Sequence, residues 1–560
     1  GRANCKRQRS SSWTVLAIAS NSWRSRALPW SGWRLLLFGV AAVTALPLAV
    51  VFAAFAAPAD DVWRRFAETI LAELIFNSVT LAMAVAAGTA VLGISLAWLT
   101  SVCDFPGRRF FSWALLLPLA LPAYVLAFVF VGLLDFTGPL QTALRELTGS
   151  RLAWFPQIRS RGGVYLVMTL ALYPYVYLLA ANAFRTQGRR MLEAGRSLGL
   201  SAPRAFWRVA LPMARPWIAA GLALVTMETL ADFGAVSVFN YDTLTTGIYK
   251  AWFGLFSLSA ACQVASVLVL IAFIALLVEQ HTRSRLRFAS TQTGAQMPRI
   301  RLHGTRATLA FAACATVLTI AFAVPLAQLL LWAGAHAQDA LDARYLGYVA
   351  RTLLLGVVAA AGIAALSILL SYAARRETGP ASRAALRIST LGYAVPGAVL
   401  AVGIFVALAQ LDALLPDAVR KLAGLSPGAL LQGSVWAMLL AYAIRFLAVG
   451  FGPVDSASHR ITRNMEEAAV SLGQSGWRLL ARVHLPLLRP GVAAGMILVF
   501  VDVMKEMPIT LMTRPFGWDT LAVRIFELTS EGQWQLAALP AIVLVVAGVV
   551  PLARLVRASD

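Results

Sequence analysis

The sequence EAGRSLGLSAPRAFWRVALP occupies residues 193–212, and a second copy, EAAVSLGQSGWRLLARVHLP, occupies residues 467–486. The copies align without gaps at an offset of 274 residues, from Glu193 to Glu467. Each copy is a polar, cationic segment between long apolar runs. A polar segment duplicated inside a duplicated apolar domain indicates two docking sites for a partner with two-fold symmetry. We therefore expect a motor outside the membrane to drive this chain.

Composition places the chain among membrane proteins. Of its 560 residues, 59% are hydrophobic and only 13% are charged, and the mean hydropathy is +0.72. A soluble core cannot bury that much apolar surface, whereas several membrane spans can. The formal net charge of +22 would suit nucleic acid, but the basic residues alternate with apolar runs of about 20 residues instead of forming one face. We therefore predict a lipid bilayer as a partner and no nucleic acid.

The sequence carries no sign of a metal or catalytic site. Its four cysteines are far apart and include no CxxC pair, so neither a disulfide framework nor a zinc site is expected. No nucleophile–base pairing or metal motif is present, and neither is a GxxxxGK[ST] phosphate loop. We therefore predict no metal, no cofactor and no enzymatic activity, with ATP hydrolysis carried out by separate subunits.

Twelve apolar runs are each long enough to cross a hydrocarbon core of about 30 Å as a helix. They lie at 34–57, 76–100, 110–133, 163–184, 212–239, 258–280, 307–333, 352–373, 388–410, 430–450, 488–512 and 535–556. The predicted fold class is an all-α polytopic membrane protein with about twelve transmembrane helices.

The repeat is parallel, because six spans per copy bring both halves into the membrane in the same sense. Of the 48 Lys and Arg residues, 33 fall in the tails and loops that this arrangement places on one side. The positive-inside rule makes that side the cytoplasm and puts both termini and both copies of the motif there. The predicted domains are a basic cytoplasmic tail (1–33), a first six-helix half (34–280), a basic cytoplasmic linker (281–306) and a second six-helix half (307–560).

The motif itself predicts a short helix, a turn and a second helix. Glu193 to Leu198 form the first helix, and Gly199 takes the left-handed conformation that ends it. Ser201 then begins a second helix as its N-cap, and the Leu-Pro pair at its end marks the turn into the next span. The product is a short amphipathic helix just below the membrane, with a surface available to a partner.

The spacing of Glu-Ala, Gly and Leu-Pro in both copies resembles the EAA loop of the inner-membrane permease subunits of bacterial ABC importers. That resemblance implies the type I importer (MetI-like) permease fold, in which each EAA loop is a coupling helix seated on a cytoplasmic ATPase. One departure is Gly195, where the second copy has Ala469, at a cost to the helix of about 1 kcal/mol. Carried over, the ATPase-coupling residues are Glu193, Ala194, Gly199, Ser201, Arg204, Phe206, Glu467, Ala468, Gly473, Ser475 and Arg478.

Two fused six-span halves are similar to the ferric-iron branch of these permeases, where one polypeptide replaces a dimer. The finer similarity lies in ETLADFGAVSVF (228–239), TLTTGIYKAWFG (243–254) and DVMKEMPITLMTRPFGWDTLA (502–522). It implies a binding-protein-dependent importer of the bacterial inner membrane. A periplasmic solute-binding protein would deliver the solute, and two copies of an ABC ATPase subunit would drive transport. Branches for thiamine, phosphonate, sulfate or molybdate share the EAA loop, and an ion-coupled secondary transporter is the alternative from a different class.

Intramembrane carboxylates mark a candidate translocation path. Glu228 and Asp232 lie four residues apart on one helix face, and the offset of 274 maps them onto Asp502 and Glu506, with Lys505 between these two. An unpaired charge at depth costs about 2.5–3.5 kcal/mol, so such groups face a partner or a wet path. As oxygen ligands they would suit a hard trivalent cation.

A structural role for the same carboxylates stays open at this point. Lys505 can neutralise Asp502 or Glu506 on its own helix. A second structural alternative is a pair between helices that involves Arg445, which lies inside another apolar run.

Overall fold

The structure is a computed structural model that describes residues 32–56, 60–149, 154–188, 199–284, 299–414 and 431–559. Within these residues, eleven helices are long and apolar enough to cross a membrane, and a shorter apolar helix, Trp534–Val549, lies at the twelfth predicted span. The prediction of an all-α polytopic membrane protein is confirmed. The predicted tail up to residue 31, most of the predicted linker, and Glu193 and Ala194 lie outside the described residues.

The described residues of the first half form twelve α-helices, one short strand and several π or 3₁₀ turns. The helices are α1 (Gly32–Phe55), α2 (Asp61–Phe66), α3 (Ala72–Val102), α4 (Arg108–Ala114), α5 (Ala123–Leu134), α6 (Pro139–Thr148), α7 (Arg161–Ala183), α8 (Ala202–Ala205), α9 (Leu211–Ala231), α10 (Gly234–Val238), α11 (Leu244–Tyr249) and α12 (Leu258–Ser284). The strand β1 is Cys103–Asp104, the 3₁₀ turn is Leu117–Ala120, and the π turns are Ala67–Leu71, Phe184–Gly188, Phe206–Ala210 and Lys250–Gly254.

The described residues of the second half form twelve further helices. After strand β2 (Ile300–Arg301) come α13 (Thr305–Leu318), α14 (Val324–Ala340), α15 (Tyr345–Arg376), α16 (Pro380–Ser389), α17 (Gly397–Leu414), α18 (Val435–Ser458), α19 (Arg463–Ser471), α20 (Gly476–Leu479), α21 (Leu485–Lys505), α22 (Pro508–Thr513), α23 (Leu521–Ser530) and α24 (Trp534–Ser559). The turns are a 3₁₀ turn at Leu391–Ala394 and π turns at Thr319–Ala323 and Leu480–His484. β2 pairs in parallel with β1.

The 274-residue offset found in the motif also relates the bounds of whole elements. Helix α9 and helix α21 begin and end at equivalent residues, as do the π turns that precede them. The 3₁₀ turns at Leu117–Ala120 and Leu391–Ala394 obey the same offset. At these elements, similar local sequence therefore produces the same local structure twice.

Two predicted spans are interrupted, which corrects their assignment as continuous helices. The spans at 110–133 and 388–410 both leave the helical conformation at the residue before a proline. Leu121 has φ −90° and ψ 118°, and Val395 has φ −94° and ψ 129°. A following proline ring disfavours the α conformation at such a residue, so the break is encoded by Pro122 and Pro396.

The predicted spans 212–239 and 488–512 also end earlier than expected. Helix α9 stops at Ala231 and helix α21 at Lys505, and each is followed by a short separate helix, α10 or α22. The apolar composition continues through both breaks, so hydropathy alone does not reveal them. Each break positions an acidic residue at the helix end, as described below.

The halves are joined by exchange of their first long helices. Helix α1 lies on α16 and α17, where a Cβ at Gly403 would come within 2.6 Å of the Pro47 carbonyl oxygen. In the other direction, α14 packs on α5, and a Cβ at Gly132 would lie 2.8 Å from Trp332 Cη2. Helices approach this closely in membranes where one of them contributes no side chain. Each of the two main apolar clusters therefore contains residues of both halves.

Gly495 allows a prediction about packing. A Cβ at this position of α21 would lie 2.8 Å from the Gly450 carbonyl oxygen of α18. We expect Gly495→Ala to lower stability, because overpacking costs about 1–3 kcal/mol and exceeds the gain in helix propensity of about 1 kcal/mol. Thermal unfolding in detergent measures the change. Gly362→Ala in α15 is the control, since a Cβ there meets nothing within 4 Å; an equal or higher midpoint for the Gly495 variant would contradict this packing.

Candidate functional site

A cavity of about 170 Å³ lies where α9 and α21 end. Its lining includes all the residues that the sequence assigned to a translocation path, namely Glu228, Asp232, Asp502, Lys505 and Glu506. The two acidic pairs come from different halves of the chain and face one space only because the halves pack together. The cavity is therefore a single site that equivalent residues of both halves line.

The acid at the end of each helix caps the short helix that follows. The Val236 backbone N–H donates to Asp232 Oδ1 at 3.1 Å, and the Ile509 N–H donates to Glu506 Oε1 at 3.1 Å. A side-chain oxygen that accepts from a free amide satisfies a donor that the helix leaves unpaired. Gly397 leaves room for this carboxylate, because a Cβ there would lie 2.7 Å from Glu506 Oε1.

Glu506 also forms the buried ion pair of the cavity. Arg445 Nε of α18 lies 3.4 Å from Glu506 Oε2, and both side chains are 8% exposed. Arg445 Nη1 donates to the Val395 carbonyl at 2.7 Å, which ties α18 to the break before α17. In the structure Glu506 therefore pairs with Arg445 across two helices, while Lys505 Nζ contacts the Leu119 carbonyl.

Two further contacts cross between the halves at the cavity. The Tyr393 hydroxyl of the second half donates to Glu228 Oε1 at 3.0 Å. Lys505 Nζ donates to the Leu119 carbonyl of the first half at 3.4 Å. Since Leu119 and Tyr393 are equivalent under the offset of 274, the same pair of positions mediates both contacts, once by a carbonyl and once by a hydroxyl.

Both halves contribute acidic residues to the cavity, but only the second half contributes basic residues. Both cations, Arg445 and Lys505, belong to the second half, and their equivalents Ala171 and Ala231 also line the cavity. Four carboxyl groups therefore face two cations. If all are ionised, the site has a formal charge of −2, and it favours a cation over an anion on electrostatic grounds.

The carboxyl groups do not form a closed metal cage. In the described part of the chain, no three His, Cys, Asp or Glu side chains converge as they would around a bound metal ion. Glu228 and Asp502 lie one turn before the helix ends and are half-buried. Their spacing suits a path that a cation passes better than a site that retains one.

The second copy of the motif has the geometry of a helix, a turn and a second helix. Gly473, after the end of α19, has φ +79°, and the Gln474 N–H donates to the Ala469 carbonyl at 3.0 Å. Ser475 begins α20 as its N-cap, with φ −139° and ψ 161°, but its side chain makes no capping hydrogen bond. Glu467 is exposed and pairs with Arg463 at 3.0 Å.

The first copy shows the same turn. Gly199 has φ +82°, and the Ser201 carbonyl accepts from the Ala205 N–H at 2.8 Å, which starts the next helix. Phe206 packs inward on Trp98, with ring centroids 4.6 Å apart. Trp207 is instead the ring presented at the surface.

Apolar side chains remain exposed on both segments. Trp207 is 67% exposed, and Trp477 and Leu472 of the second copy are 65% and 80% exposed. Arg204, Ala468 and Arg478 are exposed beside them. Apolar groups that are rimmed by charges and left uncovered are typical of a protein–protein contact surface.

Sequence reasoning missed Tyr124 and Tyr393, which line the cavity, and considered Arg445 only as a structural alternative. Tyr393 was detectable as the equivalent of Leu119, since a polar substitution inside a duplicated apolar turn is a departure worth attention. Tyr124 and Tyr175 also line the cavity, and nothing in their local sequence distinguishes them from tyrosines that only pack.

Comparison with known proteins supports the duplication. The family described as "Binding-protein-dependent transport system inner membrane component" matches residues 89–288 and again residues 367–560. The chain is 25% identical over 487 residues to the Fe(3+)-transport system permease protein FbpB 2 of Haemophilus influenzae, which covers 86% of this chain and 89% of that relative.

Relatives that are named for other solutes match shorter regions of the chain. A probable molybdenum ABC transporter permease protein of Haloferax volcanii is 34% identical over 261 residues, or 45% of this chain and 91% of that relative. The sulfate transport system permease protein CysW of Escherichia coli is 29% identical over 218 residues, or 38% of this chain and 73% of that relative.

The buried ion pair predicts a strong effect of Arg445→Met on stability. Removal of one partner leaves Glu506 charged and unpaired, which costs about 3–5 kcal/mol for a buried pair. Reversible unfolding in mixed micelles measures this loss. We expect the double variant Arg445→Met, Glu506→Gln to recover part of it. Arg109→Met is the control, because Arg109 is exposed. If Arg445→Met and Arg109→Met lowered stability equally, the contribution of the ion pair would be refuted.

Proposed function

Because the chain belongs to the family of binding-protein-dependent transport system inner membrane components, we propose that it is the permease of an ATP-driven importer that carries ferric iron. In this proposal a periplasmic binding protein delivers the cargo to the cavity. Two cytoplasmic ATPase subunits hold the two copies of the motif, which we call the coupling segments (residues 193–212 and 467–486). The chain then alternates between outward and inward access.

The observation that carries the proposal is the continuity between each coupling segment and the cavity. Helix α20, the π turn at Leu480–His484 and α21 follow one another without a break. At 1.5 Å per residue, the helix from His484 to Asp502 is about 27 Å long. In the first half α8, a π turn and α9 repeat the arrangement, and α9 carries Glu228 one turn before its end. A displacement of either coupling segment would therefore be delivered to the carboxylates by a single helix.

The surface of the coupling segments supports an ATPase as the partner. Each coupling segment exposes one tryptophan, Trp207 in the first and Trp477 in the second, with arginines beside it. The distribution of Lys and Arg puts both segments and both termini in the cytoplasm. The division into halves at 34–280 and 307–560, joined by a cytoplasmic linker, belongs to the same proposal.

Ferric iron is the cargo that agrees best with the cavity. Carboxylate and phenol oxygens are hard ligands, and the excess of four acids over two cations favours a cation of high charge. The Haemophilus influenzae relative that matches most of the chain is named for Fe(3+) transport. An oxyanion such as sulfate or molybdate would meet the same carboxylates and be repelled.

The proposal is tested by reconstitution of the chain with its ATPase subunits in proteoliposomes. Candidate binding proteins loaded with ferric iron, sulfate, molybdate, an aminoalkylphosphonate or thiamine are added to the outside. We expect the ferric-loaded protein to stimulate both ATP hydrolysis and uptake. Stimulation by one of the others would replace iron with that solute, and uptake by the chain alone, without ATPase subunits, would indicate a secondary transporter.

The cavity carboxylates yield a separate prediction. The double variant Glu228→Gln, Asp502→Asn keeps the size of both side chains and removes two negative charges. We expect at least about tenfold slower ferric uptake, because a charged contact contributes about 1.5–3 kcal/mol and each 1.4 kcal/mol is tenfold. Copurification of the ATPase subunits should persist.

The matched control for this variant is Asp61→Asn. The Asp61 side chain is 84% exposed and pairs only locally with Arg64, so its loss removes a carboxylate far from the cavity. Unchanged uptake kinetics in the cavity variant would assign Glu228 and Asp502 to structure.

A further inference from the structure

A polar cluster lies beneath the second coupling segment and has no role in the cavity. Arg375, near the end of α15, contacts Glu466 Oε1 through Nη2 at 2.7 Å and Nε at 3.0 Å. The same guanidinium donates to the carbonyls of Ser458 at 3.0 Å and Ile461 at 2.9 Å. His484 Nε2 lies 3.3 Å from the same Glu466 oxygen. One side chain thus connects the end of α15, the end of α18 and α19, the helix that leads into the second coupling segment.

Tyr372 completes this cluster. Its ring packs edge-on against His484, with centroids 5.1 Å apart, and its hydroxyl donates to the Gly476 carbonyl at 3.2 Å. His484 is buried, while Arg375 and Glu466 are only partly exposed. We call these four residues, Arg375, Glu466, His484 and Tyr372, the Arg375 cluster.

The equivalent place in the first half is apolar. At the offset of 274, Tyr372 corresponds to Trp98 and Ser458 to Phe184. The Trp98 ring contacts Phe184 at 5.5 Å and Phe206 at 4.6 Å between centroids. In the described part of the first coupling segment, aromatic rings therefore contact the membrane helices, and we call Trp98, Phe184 and Phe206 the Trp98 cluster.

The charged members of the Arg375 cluster have no charged equivalents. Arg375 corresponds to Ser101, whose hydroxyl donates to the Ala181 carbonyl. His484 corresponds to Ala210, which is buried. The two coupling segments thus share the turn at Gly199 and Gly473. They differ in the side chains that lie beneath them.

We propose that Arg375 is a positioning residue that binds the second coupling segment to α15 and α18, so that this segment and those helices move as one unit. This inference rests on the coupling role proposed above. The hydrogen bonds of Arg375 are directional and shared among three elements, whereas apolar contacts such as those of the Trp98 cluster are non-directional. The second segment is therefore the one whose attachment a single charge controls, and loss of Arg375 lets ATP hydrolysis proceed without transport.

The test compares uptake per ATP hydrolysed in the reconstituted complex for Arg375→Met, Glu466→Gln and the double variant. We expect each single variant to lower this ratio by about fivefold or more, the lower end of measured couplings between sites. The double variant should be no worse than Arg375→Met, because both remove the same interaction. Arg375→Lys, which keeps the charge and loses the fork of donors, should restore part of the ratio.

Arg383→Met is the matched control, since Arg383 is exposed on α16, the helix that follows α15. A spin label at Ser475 should gain mobility in the Arg375→Met complex, and one at Ser201 should not. If Arg375→Met fails to assemble, the Glu466→Gln complex and its label carry the test. If Arg375→Met left the ratio of uptake to ATP hydrolysis unchanged, and the labels at Ser475 and Ser201 were equally mobile in it, the inference would be overturned.

The outcomes separate this inference from the proposed function. A wild-type complex that shows no ATP-dependent uptake with any binding protein contradicts the proposed function. A wild-type complex that transports while the Arg375 and Glu466 variants match it contradicts only the positioning role. An equal loss in the Arg383 variant would assign the effect to surface charge and would also overturn it.

Discussion

Inside a bilayer every backbone amide must find its partner within the protein, and this constraint decides where α9 and α21 can end. Both helices stop among other helices, where the free amides of the next segment need acceptors within the protein. Asp232 and Glu506 solve the problem by accepting from Val236 and Ile509. The acids are thus required by the backbone before they serve any cargo, and the cavity forms around them.

A carboxylate placed for this reason brings a charge that must itself be compensated. Arg445 compensates Glu506 directly, while Glu228 accepts from the Tyr393 hydroxyl across the boundary between halves. The compensation is incomplete, since only the second half supplies cations. Because both halves supply acids and only one supplies bases, the site has a net negative charge. The positive charges also lie on one side of it, that of the second half.

The same division between shared fold and different chemistry appears at the other end of these helices. The turns at Gly199 and Gly473 have nearly the same φ values, +82° and +79°. Beneath them, aromatic rings support one segment and a guanidinium supports the other. Fusion of two halves into one chain permits such divergence, because each half can change without a matching change in its copy.

The sequence by itself determined the membrane class, the duplication, the approximate positions of twelve apolar runs and the acids that line the cavity. These follow from hydropathy, spacing and the offset of 274, which are local properties of the chain. It did not determine where α9 and α21 end, since the apolar composition runs through both breaks. Only the tertiary structure decided that Glu506 pairs with Arg445, that Tyr393 meets Glu228, and that α1 and α14 exchange between halves. Each of those contacts joins residues far apart in the chain, and their geometry depends on how whole helices pack.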